Sequence, residues 1–79
     1  MIVNIKDILT LDDNNDYVVV GKVNHNNKYY YYLMDKNNRS NIKFCYEDDE
    51  DLVQFQDTKL IEELLPLFLK VAKDEIENL

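Results

Sequence analysis

The sequence predicts an α+β domain: a small antiparallel β-meander of three to four strands packed on a C-terminal helix. Three observations carry that prediction. Short β-branched and aromatic runs recur through residues 1–56, separated by turns rich in Asn and Asp. From Asp57 onward the apolar spacing changes to the helical period. The chain has 79 residues with one glycine and one proline, which leaves room for one domain and no linker. Residues 1–79 are therefore read as a single domain, with 1–56 mainly sheet and 57–79 the helix.

The elements follow in order. Ile2, Val3, Ile5, Ile8, Leu9 and Leu11 form a short apolar opening segment. "LDDNND" (11–16) then makes a turn, because Asp and Asn side chains hydrogen-bond to nearby backbone. "YVVVGKV" (17–23) is a strand by its β-branched content. "NHNN" (24–27) is a hairpin turn, since Asn tolerates positive φ. "KYYYYLMD" (28–35) is the second strand, "KNNRSN" (36–41) a longer turn, and "IKFCY" (42–46) the third strand. The acidic run "EDDED" (47–51) connects to "LVQFQ" (52–56), a fourth short strand.

Four consecutive tyrosines on one strand send two phenols to each face of the sheet. A two- or four-residue first turn places Val19 and Gly21 with Tyr30 and Tyr32. Val18, Val20, Tyr29, Tyr31 and Leu33 then take the opposite face, which we expect the helix to cover together with Ile42 and Phe44. A turn of odd length would shift one strand across. Tyr30 and Tyr32 are left on the far face, either as strand formers with a wetted edge or as a partner-binding surface.

In the helix, Asp57 or Thr58 is the N-cap. At 100° per residue, ten apolar side chains from Leu60 to Ile76 fill an arc of about 200°, where a helix on a single layer needs only about 100°. Leu60, Leu64, Leu67 and Val71 lie on one side of that arc, and Leu65, Leu69 and Ile76 on the other. Pro66 falls on the polar arc. It predicts either one kinked helix or a break, with a second helix starting at Pro66.

Nine Lys and Arg against sixteen Asp and Glu give a net charge of −7. A phosphate backbone is bound through Lys and Arg that displace counterions, so direct nucleic-acid or anionic-membrane binding is disfavoured. The single cysteine, Cys45, excludes an internal disulfide framework. "MIVNIKDILT" has neither the basic start nor the apolar run of a signal peptide, and no stretch reaches the length of a membrane span. The expectation is a cytoplasmic protein.

Catalytic constellations are absent from the pattern. "DDNNDY" imitates the start of an EF-hand loop, but Tyr17 stands where that loop needs glycine and Val23 where it needs a bidentate Glu. "EDDED" is a solvated connection. His25 has no companion ligand for zinc, and Cys45, between Phe44 and Tyr46, has no activating base. We therefore expect no enzyme, no cofactor and no metal. The expected role is a protein-interaction module, pairing with itself as a homodimer or with another protein, through Tyr30, Tyr32, Leu65, Leu69 and Ile76. The alternative is an acidic nucleic-acid mimic that occupies a basic surface of a partner protein.

The segments "ILTLDDNNDYVVVGKV", "YYYYLMDKNN", "NIKFCYEDDE" and "LIEELLPLFL" run from an acidic turn through a hairpin, a further strand and an acidic run to a helix. That order resembles the small acidic proteins of Gram-positive bacteria grouped as domain-of-unknown-function family 1292, over roughly residues 7–70. The helix here is more apolar than the family's and the first strand shorter. The resemblance implies a cytoplasmic protein without an assigned activity, and no functional residue carries over from it.

Overall fold

The computed structural model describes residues 3–77, with side chains through Val71. Its elements are β1 (Ile8–Thr10), β2 (Asp16–His25), β3 (Lys28–Asp35), β4 (Ile42–Asp48), β5 (Asp51–Phe55) and α1 (Thr58–Glu77). Spatial order in the sheet equals chain order and each neighbouring pair is antiparallel, so the α+β meander expected from the sequence is present. It has five strands rather than three or four. The additional one is β1, which pairs Ile8 with Val18 and Thr10 with Asp16 and is too short to show an alternation.

Local chemistry fixes the turns. Asn26 and Asn27 both take positive φ (52° and 63°), the left-handed pair that a two-residue hairpin turn needs. Asn14 (φ 64°) turns the chain between β1 and β2, where the Asp13 carboxylate accepts a hydrogen bond from the Asn15 amide at 3.0 Å. Between β4 and β5 the turn is only Asp49–Glu50, with Asp49 at φ 54°. Most of the acidic run is thus strand rather than connection.

One irregularity redirects the sheet's faces. Val19 pairs with Leu33 but Gly21 pairs with Tyr32, so Val20 is an extra residue in β2. Gly21 shares the face of Tyr32 as expected, whereas Val19 crosses to the face of Tyr31 and Leu33. The helix lies on the Tyr30 and Tyr32 face, the reverse of the expected assignment. The register explains why. Tyr30 pairs with Tyr46, Tyr32 with Phe44, and Phe44 with Phe55, and directly paired residues share a face. Five rings therefore gather on one side, and Phe68 and Leu64 of α1 seal them. Tyr32 meets Phe44 edge-on at 5.2 Å and Phe68 at 5.7 Å between ring centroids.

The opposite face buries Tyr17, Val19, Tyr31, Leu33 and Cys45 without a helix. Val3 caps that second core, and the segment carrying it is tied across β2 by Lys6 N–H to the Val19 carbonyl (2.8 Å) and Val19 N–H to the Asp7 carbonyl (2.9 Å). The sheet curls around this face, so β1 and β5 come to border one open hollow.

Asp57 is the N-cap of α1: its side-chain oxygen accepts from the amides of Lys59 (3.1 Å) and Leu60 (3.3 Å). The helix runs unbroken through Pro66, which stands on the exposed side. Water there can satisfy the Glu62 carbonyl that proline leaves without a donor.

Candidate functional site

The apolar arc of α1 is wider than the sheet beneath it. Leu64 is fully buried and Phe68 nearly so, with Leu60 and Val71 partly covered beside them. Leu65 is half-buried. Leu69 is 67% exposed, the most open large apolar side chain among the described residues. It projects from the middle of α1, beside the sheet-facing side that Leu64 and Phe68 fill.

Leu65 and Leu69 form one wall of an apolar groove of about 260 Å³; Val20, Tyr32 and Met34 form the other, and Phe68 closes the inner end. No charged side chain lines it. The bulge is what builds that sheet wall. It brings Val20 to the side of Tyr32, beside Val18 and Met34, which are direct partners across the two strands. Along the sheet the groove continues past Val18 into a second hollow of about 370 Å³, rimmed by Asp35, Lys36 and Arg39. Lys36 and Arg39 thus place positive charge at the open end of the groove on an acidic chain.

Of the five residues expected at an interface, three border this groove: Tyr32, Leu65 and Leu69. Tyr30 does not. It is 8% exposed, packed edge-on to Phe55 at 5.8 Å beneath the helix, and offers no free surface. The expectation of a free Tyr30 and Tyr32 face fails for the reason given above: the helix covers that face. Ile76 lies outside the residues whose side chains are described. The sequence reading missed Val20, because its place depends on the bulge; Met34 shares the face of Tyr32 by simple alternation along β3. Glycine inside a β-branched run was the signal available for the bulge.

The other tyrosines are accounted for elsewhere. Tyr31 is buried in the second core with its hydroxyl 3.4 Å from Glu47, and Tyr29 stands at the hairpin tip under the Lys22 ammonium. At that tip His25 Nε2 lies 3.6 Å from Glu63 of the helix.

Two groups of the second core, Cys45 and Tyr31, are held in their neutral forms. Burial pushes the Cys45 thiol up to about 11, against a small opposing effect of Lys43. Burial, then the Glu47 charge, pushes Tyr31 up to about 12. A thiol so displaced is a packing group rather than a nucleophile at neutral pH. Among the described residues, no three His, Cys, Asp or Glu side chains converge as metal ligands, and no helix is long and apolar enough to cross a membrane.

No family model, curated protein or solved structure matches this chain.

Proposed function

We propose that this chain is a cytoplasmic, non-enzymatic interaction module that pairs with a second copy of itself through the groove between α1 and the β2–β3 surface. The observation that carries the reading is the position of Leu69, 67% exposed at the mouth of a charge-free groove. A protruding leucine beside an apolar slot is self-complementary under a two-fold axis: each Leu69 enters the slot of the other copy. A fully buried leucine contributes about 1.5–3 kcal/mol, and the pairing uses two such leucines together with the half-buried Leu65 pair. Charge favours the same arrangement. Glu62 stands one turn before Leu65 at the start of the Leu65–Leu69 stripe, while Lys36 and Arg39 rim the far end of the groove.

We propose further, on the resemblance of the sequence segments quoted above alone, that the chain belongs to domain-of-unknown-function family 1292.

Sedimentation equilibrium from micromolar to millimolar concentration tests the pairing. The wild-type chain is expected to approach twice its 9.5 kDa mass, and Leu69→Glu to remain folded and monomeric. A wild-type monomer throughout that range would remove the proposal.

A further inference from the structure

The edge of β5 is a second open surface, distinct from the helix groove. Antiparallel pairing with β4 closes with Asp48 opposite Asp51 across a two-residue turn. Asp51, Val53 and Phe55 therefore exchange hydrogen bonds with β4, and the N–H and C=O groups of Leu52 and Gln54 point away from it. β5 ends the sheet, and among the described residues no backbone group beyond β4 bonds to it. Free edges are ordinarily blunted by lysine, proline or a bulge. β5, with the sequence DLVQF, has none of these.

Because the sheet curls, that edge does not face open solvent alone. It forms one wall of a hollow of about 690 Å³ whose other wall is the end of β1 and the acidic turn after it. The volume falls within the range of ligand-binding clefts. Leu11, Cys45 and Leu52 make its apolar part. Asp12, Asp13 and Lys43 supply the charges, and the negative ones predominate. The Asp13 carboxylate is fixed by the Tyr17 hydroxyl at 2.6 Å and the Asn15 amide at 3.0 Å. Asp12 is exposed and has no hydrogen bond or ion pair among the described residues. The acidic turn Asp48–Asp51 extends the same field past the end of the strand.

We propose that an extended, basic peptide segment of another protein adds to β5 as a sixth strand, lying in the hollow between β5 and β1. Leu52 and Gln54 supply the main-chain hydrogen bonds, which give affinity irrespective of sequence. Small apolar side chains on one face of the added strand rest on Leu11, Cys45 and Leu52. Lysine or arginine on the other face meets Asp12 and Asp13. An acidic segment is rejected by the same carboxylates, so the charge supplies the selectivity.

A capped hexapeptide of alternating valine and lysine, titrated into the ¹⁵N-labelled chain, tests this. The expected result is saturable shifts of the Leu52, Gln54 and Thr10 amides. Of two forms of the peptide N-methylated at alternate amides, the one whose methyl groups fall on the edge facing β5 is expected to bind at least about tenfold more weakly and the other to bind as before, because a strand's N–H groups alternate between its edges. A valine–glutamate peptide is also expected to bind at least about tenfold more weakly. Gln54→Pro removes only an outward-facing donor and is expected to abolish binding while the β4 pairing persists. Leu69→Glu is expected to leave binding unchanged, which separates this site from self-association. Equal binding of the two methylated forms, or binding of the acidic peptide as tight as that of the basic one, would overturn the proposal. So would shifts centred on Leu65 and Leu69, or no shifts at millimolar peptide.

Discussion

Phe68 occupies the space that a side chain at position 21 would fill. A Cβ built on Gly21 falls 2.6 Å from Phe68 Cδ1 and 3.3 Å from the Tyr32 Cβ. The helix docks against bare backbone at this point, and the one glycine in the chain sits where the largest helix side chain enters the sheet. Gly21→Ala must therefore displace a ring inside an aromatic cluster, at about 1–3 kcal/mol for overpacking. Relief of glycine's strand penalty offsets only about 0.5–1 kcal/mol. Urea unfolding is expected to show a net loss for Gly21→Ala and a larger one for Gly21→Val. An unchanged midpoint would show that the ring is not confined there.

Pro66 poses the opposite case, since it is exposed and belongs to neither hydrophobic cluster. Within a helix interior proline is about 3 kcal/mol less favourable than alanine. Part of that cost is relieved because the Glu62 carbonyl stands on an exposed side of the helix, open to water. Pro66→Ala is expected to stabilise the chain by about 1–3 kcal/mol and to raise its melting temperature. A lower melting temperature would mean that the proline shapes α1 in a way the sheet requires.

The architecture was legible in the sequence wherever an element was long enough to show its period. The ten residues of β2, the eight of β3 and the twenty of α1 each did so. Asn26–Asn27 announced its hairpin because few other residues accept two consecutive positive φ values. Which face the helix covers was not legible. Parity propagates along a strand, and the extra residue at Val20 reverses it halfway through β2. That single bulge misplaced Val19, while Tyr30 was read as surface because the β3–β4 register, which puts Phe44 opposite Tyr32 and gathers the rings under the helix, has no local signal. The helix half of the groove, Leu65 and Leu69, was readable because an arc of apolar residues needs no register. On the sheet half, Met34 follows Tyr32 by alternation, whereas Val20 depended on the bulge. The hollow beside β5 depended on curl, which no local pattern encodes.

Alkaline pH should weaken the fold through its second core. Cys45 is raised to about 11 from an ordinary 9.0, and Tyr31 to about 12 from 10.0, in both cases chiefly by burial. The unfolded chain releases these protons first. The stability they contribute is therefore complete below about pH 9 and is lost progressively as pH rises to about 12. Thermal melts across that window are expected to fall more steeply for the wild type than for Tyr31→Phe. In the native chain at about pH 8, iodoacetamide should leave Cys45 unmodified until denaturant is added. Rapid native labelling would contradict the placement of the thiol.

Asn41 holds together the polar seam at the end of the second core. Its Nδ2 donates at 3.0 Å to the Tyr17 hydroxyl and at 3.0 Å to the Asp35 carboxylate, while Tyr17 in turn donates to Asp13 at 2.6 Å. Asp35 is 6% exposed and is the one buried charged residue among those described; its other oxygen accepts from the Asn37 amide at 2.8 Å. Asn41→Leu keeps the branched shape but takes a donor from a buried carboxylate, so a loss of about 1–3 kcal/mol is expected. Asp35→Asn should restore part of that loss in the double variant, because a neutral amide does not need the missing donor as a carboxylate does. The far end of the chain has its own readout. The Tyr17 hydrogen bond is the leading cause that holds the Asp13 carboxyl below the usual carboxylate range. Tyr17→Phe is therefore expected to move Asp13 upward in an NMR titration, and whatever stability its carboxylate contributes would then be lost at a higher pH on acidification. An Asp13 titration that is the same in both chains would show that the phenol merely stands near the carboxylate without bonding to it.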